Sequence, residues 1–314
     1  MKSLFSLSSL FAAACATPQT SSRTAPLVDY HQHLVSADFA AVAKLPQRDG
    51  AALVRELDAA GIERALVLSV GYTYGDERKK LSEPDARTSR ENDWTSAEVI
   101  KHAPRLVGFC SANPLRDAAL QELERCLALP GMTGIKQHFG NGGVSLRNPD
   151  HLKRAQAVFA LAQRHRAPIL IHMRARGGTD YGAEDARILI EQVLPMAPSV
   201  DVIVAHLGAS SPGYTEQNDA VMEVFANAAR AKDPRIRNLF VDTGANIDAD
   251  TTAEQAALAA RRMRDFGVSR ILYGSDLSAP GGSIGAGWQL FRAKMPLTAT
   301  EFRTIMSNRR PFLR

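Results

Sequence analysis

Short runs of apolar and β-branched residues recur along the chain, and a stretch with helical periodicity follows each of them. Within Pro149–Arg166, for example, Leu152, Ala155, Phe159 and Ala162 recur at intervals of three or four residues, which gives a helix one apolar face. The sequence contains no internal repeat and no low-complexity block. The pattern predicts eight strands, at Leu27–His31, Ala65–Val70, Leu106–Ala112, Thr133–His138, Pro168–His172, Val202–His206, Leu239–Thr243 and Ile271–Asp276.

The alternation of strands and helices predicts how the sheet is built. Strands separated by helices pair in parallel through right-handed crossovers, and eight such units can close into a barrel. An open, doubly wound sheet is the alternative, but no Gly-x-Gly-x-x-Gly motif follows the first strand to support it. We therefore expect an α/β protein, with a single-domain (β/α)8 TIM barrel over residues 27–314 and an extra C-terminal helix at Thr298–Asn308.

The longest predicted connection follows the second strand and runs from Gly71 to about Trp94. It contains Tyr72, Tyr74 and several charged residues. A connection of this length on an enzyme often carries function. We expect it to form a lid or a wall of the substrate site.

Composition narrows the class of protein without naming its activity. Hydrophobic residues make up 45% of the 314 residues and charged residues 23%, which is ordinary for a globular enzyme. The net charge is +5, but the paired basic residues are scattered and no basic stripe carries interleaved aromatic residues. Nucleic acid is therefore not an expected partner. The expected partner is a small molecule, and the excess of positive charge would suit one that carries an acidic group. Assembly into a homo-oligomer is also open.

Residues 1–16 differ from the rest and resemble an export signal. They carry one positive charge at Lys2, an apolar stretch from Leu4 to Ala14, and small residues around Cys15. Either a peptidase cleaves after Ala16, or Cys15 receives a lipid anchor; a frayed cytoplasmic N-terminus is the alternative to both. Residues 17–26 would be a short tether. We expect a periplasmic protein or a membrane-anchored lipoprotein, in contact with the membrane only through Cys15.

Two cysteines remain beyond the signal. Cys110 lies on a predicted strand and Cys126 on a predicted helix, and their spacing matches no metal motif. We expect both to be buried as small hydrophobic residues. A disulfide in an oxidising compartment is the alternative.

Five histidine and aspartate side chains lie at the carboxyl ends of predicted strands, the face on which barrel enzymes carry their active sites. His31 and His33 share a parity with each other, so both are predicted to point into the barrel mouth, close enough to share one ion. His172 and His206 end the fifth and sixth strands, and Asp276 ends the eighth. Such groups are costly at the end of a buried apolar strand unless they are hydrogen-bonded or ligated. Their convergence on one rim predicts a functional site.

The motifs around these residues resemble the amidohydrolase superfamily of metal-dependent barrel enzymes, and more closely its amidohydrolase-related branch. The resemblance runs from Val28 to Asn308 and keeps the order and strand positions of the motifs. They are Asp-Tyr-His-Gln-His-Leu, Gly-Phe-Cys-Ser-Ala-Asn-Pro, Gly-Ile-Lys-Gln-His-Phe, Ile-His, Ala-His-Leu-Gly, Tyr-Gly-Ser-Asp, and Leu-Thr-x-x-Glu-Phe-x-x-Ile-x-x-Asn.

The resemblance implies one divalent ion, usually Zn²⁺, bound by His31, His33, His172 and Asp276. Such an ion would activate water for attack on an amide, ester or lactone, with Asp276 as the proton shuttle. His206 would stabilise the oxyanion, act as a base, or bind a second ion. Decarboxylation of aromatic acids by the same residue set is the alternative reaction. A third hypothesis is a lipoprotein that binds a metal or a carboxylate without turnover.

Four more residues are candidates for binding substrate. Lys136 and His138 lie two apart on the fourth predicted strand, so both can point into the barrel. In binuclear amidohydrolases a Lys at this strand carries a carbamate that bridges two ions, but we favour a mononuclear site in which Lys136 stays an ammonium. Arg174 and Arg176 follow His172 and would grip a substrate carboxylate, unless they are surface or helix-capping residues.

Overall fold

Eight parallel strands form one sheet in the order β1 to β8, so the predicted barrel is confirmed. The computed structural model describes residues 24–175, 181–209, 212–276 and 282–313. The predicted signal, Cys15, Arg176 and residues 17–23 of the predicted tether lie outside these ranges. The strands are β1 (Val28–Gln32), β2 (Arg64–Leu68), β3 (Leu106–Ser111), β4 (Met132–His138), β5 (Ile169–Ala175), β6 (Val202–Val204), β7 (Leu239–Asp242) and β8 (Ile271–Leu272).

Helices connect the strands on the outside of the barrel. None of the described helices is long and apolar enough to span a bilayer. The predicted C-terminal helix is present as the last of the α-helices. These are α1 (Ala37–Ala43), α2 (Gly50–Ala60), α3 (Pro84–Lys101), α4 (Ala119–Leu127), α5 (Phe139–Gly142), α6 (Pro149–His165), α7 (Ala183–Ile188), α8 (Glu216–Arg230), α9 (Ala253–Phe266), α10 (Ile284–Lys294) and α11 (Ala299–Ser307).

The predicted long loop after β2 is wrong in its extent. Helix α3 begins at Pro84, so the connection ends well before Trp94. Proline suits the first turn of a helix because its missing N–H would have no partner there, and Asp85 in that turn complements the helix dipole. The remaining connection contains two short 3-10 turns, Gly71–Thr73 and Glu77–Lys79.

The inside of the barrel is packed with apolar side chains from alternate strand positions. Val28 and Tyr30 of β1 belong to this interior cluster. Strict alternation would therefore place His31 outside, but the pairing of β1 with β2 shifts register between Asp29 and Gln32. This irregularity lets His31 reach the barrel mouth. The predicted destination of His31 is correct, whereas the parity argument for it is wrong.

A short C-terminal segment closes the bottom of the barrel. Leu313, in the 3-10 turn Pro311–Leu313, is fully buried in the interior cluster. Arg310 bonds both carboxylate oxygens of Asp201, at 2.9 and 3.0 Å, and lies 3.9 Å from the centre of the Phe240 ring. The segment is thus held by packing, an ion pair and a cation–π contact.

Cys110 and Cys126 form a disulfide, which corrects the expectation of two free, buried thiols. The bridge joins β3 to α4 across a Cα–Cα distance of 5.9 Å, within the usual range for such bonds. Both residues are fully buried. Sequence spacing alone cannot show that the helix returns the second sulfur to the first.

We expect the double variant Cys110→Ala/Cys126→Ala to lower the free energy of unfolding by about 3 kcal/mol. The bridge links two residues that are 16 apart in the sequence, so it closes a loop in the unfolded chain and lowers the entropy of that chain. Chemical denaturation with and without a reductant measures the change. Reductant should bring the wild type close to the variant and leave the variant unaffected. Two alkylatable thiols in the unreduced, denatured wild type would contradict the bridge.

Candidate metal centre

Asp242, at the end of β7, fixes the orientation of the His31 ring. Its Oδ2 accepts a hydrogen bond from His31 Nδ1 at 2.9 Å, and its Oδ1 accepts from the backbone N–H groups of His206 and Gly244 at 3.0 and 2.9 Å. Burial raises the pKa of Asp242, but the His206 charge, the backbone donors of His206 and Gly244 and the Lys136 charge favour the ionised carboxylate. His31 therefore carries its proton on Nδ1 and presents the lone pair of Nε2.

Two other imidazoles are fixed in the same tautomer. His33 Nδ1 donates to the carbonyl oxygen of Leu68, and His206 Nδ1 donates to that of Gly244, both at 2.7 Å. A carbonyl oxygen can only accept, so each proton lies on Nδ1 and each lone pair on Nε2. Three rings thus present lone pairs through the same atom.

These Nε2 atoms converge on the carboxylate of Asp276. The distances to its oxygens are 3.6 Å from His31, 3.7 Å from His33 and 3.8 Å from His206. All three are too long for hydrogen bonds, but they are close to the separation of about 3.4 Å between ligand atoms bound tetrahedrally to one zinc ion. The ligand atoms of His31, His206 and Asp276 lie within 4.8 Å of one another. A divalent metal fits this donor set.

His172 and His138 form a second pair of rings beside this group. The two rings stack with their centres 3.9 Å apart, and the His172 ring lies 4.9 Å from that of His206. Tyr72 extends the column, at 4.8 Å from His138. The His172 Nδ1 atom is buried and has no hydrogen-bond partner among the described residues. The structure therefore places His172 next to the group formed by the other three histidines and Asp276, and its role as a ligand stays a prediction.

Burial keeps these imidazoles neutral. Burial and, to a smaller extent, the nearby Lys136 charge together lower the pKa of His33 to about 3. The pKa values of His31 and His172 lie well below the usual range for the same main reason, and that of His206 is also lowered. At neutral pH the ring nitrogens are thus ready to bind a cation without first losing a proton.

Lys136 is almost fully buried within this cluster of histidines and acids. Burial lowers its pKa to about 8, although the charges of Asp242 and Asp276 oppose the shift. An ammonium and a neutral amine are then both accessible near neutral pH. Arg174 follows His172 by two residues at the end of β5 and is half-buried.

The backbone at the centre is strained where ligands leave their strands. His206, Leu207 and Asp276 have φ values of 58°, 46° and 49°, the left-handed region that costs about 1–2 kcal/mol for each non-glycine residue. Asn218 of α8 holds this turn, since its side-chain amide donates to the His206 carbonyl oxygen at 2.6 Å. Gly244 is required beside it, because a Cβ there would lie 2.8 Å from His206 Nδ1.

Two buried acids of the centre were missed by the sequence reasoning. Asp242 supports His31 and His206, and Asp29 bonds to His31 and Ser275. Burial raises the pKa of Asp29 to about 6. The sequence did contain a signal for Asp242, a carboxylate at the end of the buried apolar strand Leu-Phe-Val-Asp.

Comparison with known proteins agrees with this architecture. A family profile described as amidohydrolase matches residues 28–308, so the chain belongs to the amidohydrolase family of enzymes. No curated protein matches the sequence.

Solved structures with the same fold include decarboxylases and a hydrolase. 2,6-Dihydroxybenzoate decarboxylase from Rhizobium has 18% sequence identity and a TM-score of 0.62, covering 92% of this chain and 98% of that chain. A provisionally named 2-pyrone-4,6-dicarboxylic acid hydrolase from Pseudomonas putida has 14% identity and a TM-score of 0.59, covering 90% and 95%. 5-Carboxyvanillate decarboxylase from Novosphingobium aromaticivorans, solved with manganese, has 15% identity and a TM-score of 0.61, covering 90% and 94%. At these identities the likeness shows the fold alone.

We expect Asp242→Asn to weaken metal binding by about 10- to 100-fold, the usual cost of losing the partner of a ligating histidine. The new amide would present N–H to His31 Nδ1 and favour the tautomer whose Nε2 is protonated. Titration of the apoprotein with Zn²⁺ in a calorimeter measures the change. Asp201→Asn, at the barrel bottom, is the control, and equal affinity in the two variants would refute the role of Asp242.

Proposed function

We propose that the protein is a metal-dependent hydrolase that cleaves an amide, ester or lactone bond in a small molecule. The observation that carries this proposal is the convergence of three Nε2 lone pairs on the Asp276 carboxylate. A bound divalent cation would stabilise such an arrangement of lone pairs and negative charge. His31, His33, His172 and Asp276 are the proposed ligands of one Zn²⁺, and the geometry adds His206 as a further candidate.

A divalent ion supplies two things at such a site, a polarised carbonyl oxygen and a water of lowered pKa. Asp276 would take the proton of the attacking water and deliver it to the leaving group, since its side chain is 16% exposed and can be reached by substrate. His206 presents a lone pair at Nε2 and not an N–H, because its single N–H, on Nδ1, donates to the carbonyl oxygen of Gly244. It therefore suits the role of base or ligand better than that of oxyanion donor.

Cationic side chains near the centre suit a substrate that carries a carboxylate. Lys136 is buried at the centre, and Arg174 lies at the end of β5. A guanidinium can bind a carboxylate through two parallel hydrogen bonds, and we propose this role for Arg174 and for Arg176, which follows it by two residues in the sequence. His138, stacked on His172, would line the same space.

Decarboxylation of an aromatic acid is the second candidate. The rings of Tyr72, His138 and His172 form an aromatic column beside the centre, and an aromatic substrate would pack favourably against it. Two of the proteins with the same fold are named as decarboxylases of aromatic acids. A non-catalytic binding protein is the third candidate, but binding alone does not require Asp276 to transfer a proton.

We also propose that the protein is exported. The Cys110–Cys126 bridge supports this, because disulfides persist in oxidising compartments such as the periplasm. The signal-like residues 1–16 support it independently. A lipid on Cys15 would make the mature protein a lipoprotein.

We expect His31→Ala, His33→Ala and His172→Ala each to lose the tightly bound ion and all turnover, because each leaves too few ligands. Elemental analysis of the purified proteins measures this. His165→Ala, which removes a surface partner of Glu124, is the matched control and should keep the ion. Full metal content in all three variants would refute the assignment.

The metal content of the same purified proteins distinguishes a site with one ion from a site with two. About one ion per wild-type chain, without dependence on bicarbonate, agrees with an ammonium at Lys136. Two ions, a mass gain of one carbon dioxide on Lys136, and the loss of one ion in Lys136→Ala would show a carbamate instead.

We expect the protein to hydrolyse at least one member of a panel of lactones, esters and amides, and to lose this activity with a chelator. Arg174→Ala should raise KM for acidic members of the panel more than for neutral ones, because it removes the guanidinium that would bind the substrate carboxylate. Aromatic acids belong in the panel too, with carbon dioxide as the measured product. Release of carbon dioxide without any hydrolysis would favour the decarboxylase, and no metal-dependent turnover would leave the binding protein.

A further inference from the structure

The proposed ligands meet at the seam between β8 and β1. Among the described residues, two backbone hydrogen bonds cross it, from Tyr30 N to Tyr273 O at 2.8 Å and from Asp276 N to His31 O at 2.9 Å. His31 and His33 lie on one side of the seam and Asp276 on the other. Any slip between the two sides changes the distance between these groups.

Asp29 bridges this seam with four hydrogen bonds. Its Oδ1 accepts from the backbone N–H of His31 at 3.0 Å and from that of Ser275 at 3.1 Å. Its Oδ2 accepts from the Gln32 amide at 2.8 Å and from the Ser275 hydroxyl at 2.6 Å. The carboxylate is fully buried, so water does not compete for these bonds.

The partners of Asp29 demand a carboxylate. Both backbone N–H groups can only donate, and the Gln32 amide is fixed with its nitrogen toward Asp29 because its oxygen accepts from Arg48 at 2.8 Å. Arg48 also donates to the carbonyl oxygen of His33 at 2.9 Å and is anchored by an ion pair with Glu56. An asparagine at position 29 would set its own N–H₂ against the Gln32 amide.

We propose that Asp29 is a positioning residue for the metal centre: it holds Ser275 and His31 together and thereby sets the distance from Asp276 to His31 and His33. The inference rests on the proposed function, because it concerns the same centre. Asp29 is fully buried and all four of its hydrogen bonds go to His31, Gln32 and Ser275, so it acts through the chain on both sides of the seam. It also holds the residue that precedes the strained backbone of Asp276.

The test is the binding of Co²⁺ to the apoprotein, followed by its d–d absorption spectrum, which reports ligand number and geometry. We expect Asp29→Asn to weaken Co²⁺ binding at least tenfold and to change the spectrum. Ser275→Ala, which removes one of the four bonds, should do the same to a smaller extent. Asp201→Asn, which breaks the ion pair with Arg310 at the barrel bottom, is the control and should keep the spectrum of the wild type.

The outcomes separate the two proposals. A wild type that does not bind Co²⁺ refutes the metal centre itself, whatever the variants do. If the wild type binds but Asp29→Asn keeps its affinity and spectrum, the positioning role is wrong, even when thermal stability falls. If Asp29→Asn does not fold, Ser275→Ala decides: an altered spectrum supports the role, and an unchanged one overturns it.

Discussion

The hydrogen bond made by Nδ1 decides what His31, His33 and His206 can do, because a neutral imidazole ring has one lone pair and one N–H. The acceptors are backbone carbonyls at His33 and His206 and a carboxylate at His31. All three leave Nε2 as the atom that faces Asp276. Burial then keeps the rings neutral, so the direction of the lone pairs is fixed before any cation arrives. A change of tautomer at one ring would put the proton on Nε2, and an N–H would then point at the cation in place of a lone pair.

Support for this arrangement comes from outside the centre. The buried carboxylates of Asp242 and Asp29 are stabilised by N–H and O–H donors, which lie in the backbone at strand ends and in neighbouring side chains. The left-handed backbone at His206 and Asp276 costs free energy that the surrounding hydrogen bonds must offset. Two residues of the candidate centre therefore depend on these hydrogen bonds for their backbone conformation.

Much of the fold was predictable, because eight buried strands leave a clear periodic record and their carboxyl ends define one face. The histidines and Asp276 were predictable for the same reason. The reason why His31 turns inward was not, since a register shift in β1 leaves no trace in the alternation of residues. Asp242 carries the same signal as Asp276, a carboxylate at the end of a buried apolar strand, but its role depends on a hydrogen bond to His31, which is 211 residues away in the sequence. The start of α3 at Pro84 did have a signal, a proline followed by an acid, and was misread as part of a loop.

The segment that plugs the bottom of the barrel bears on how the chain reaches its fold. Leu313 fills an interior whose walls begin with Val28 and Tyr30, and the Tyr30 hydroxyl bonds the backbone of Arg310. Residues almost a full sequence length apart must therefore meet before the interior is sealed. Contacts of such long sequence separation form late, because a large loop must be closed first. During synthesis the interior stays open until the last strand and the plug have left the ribosome.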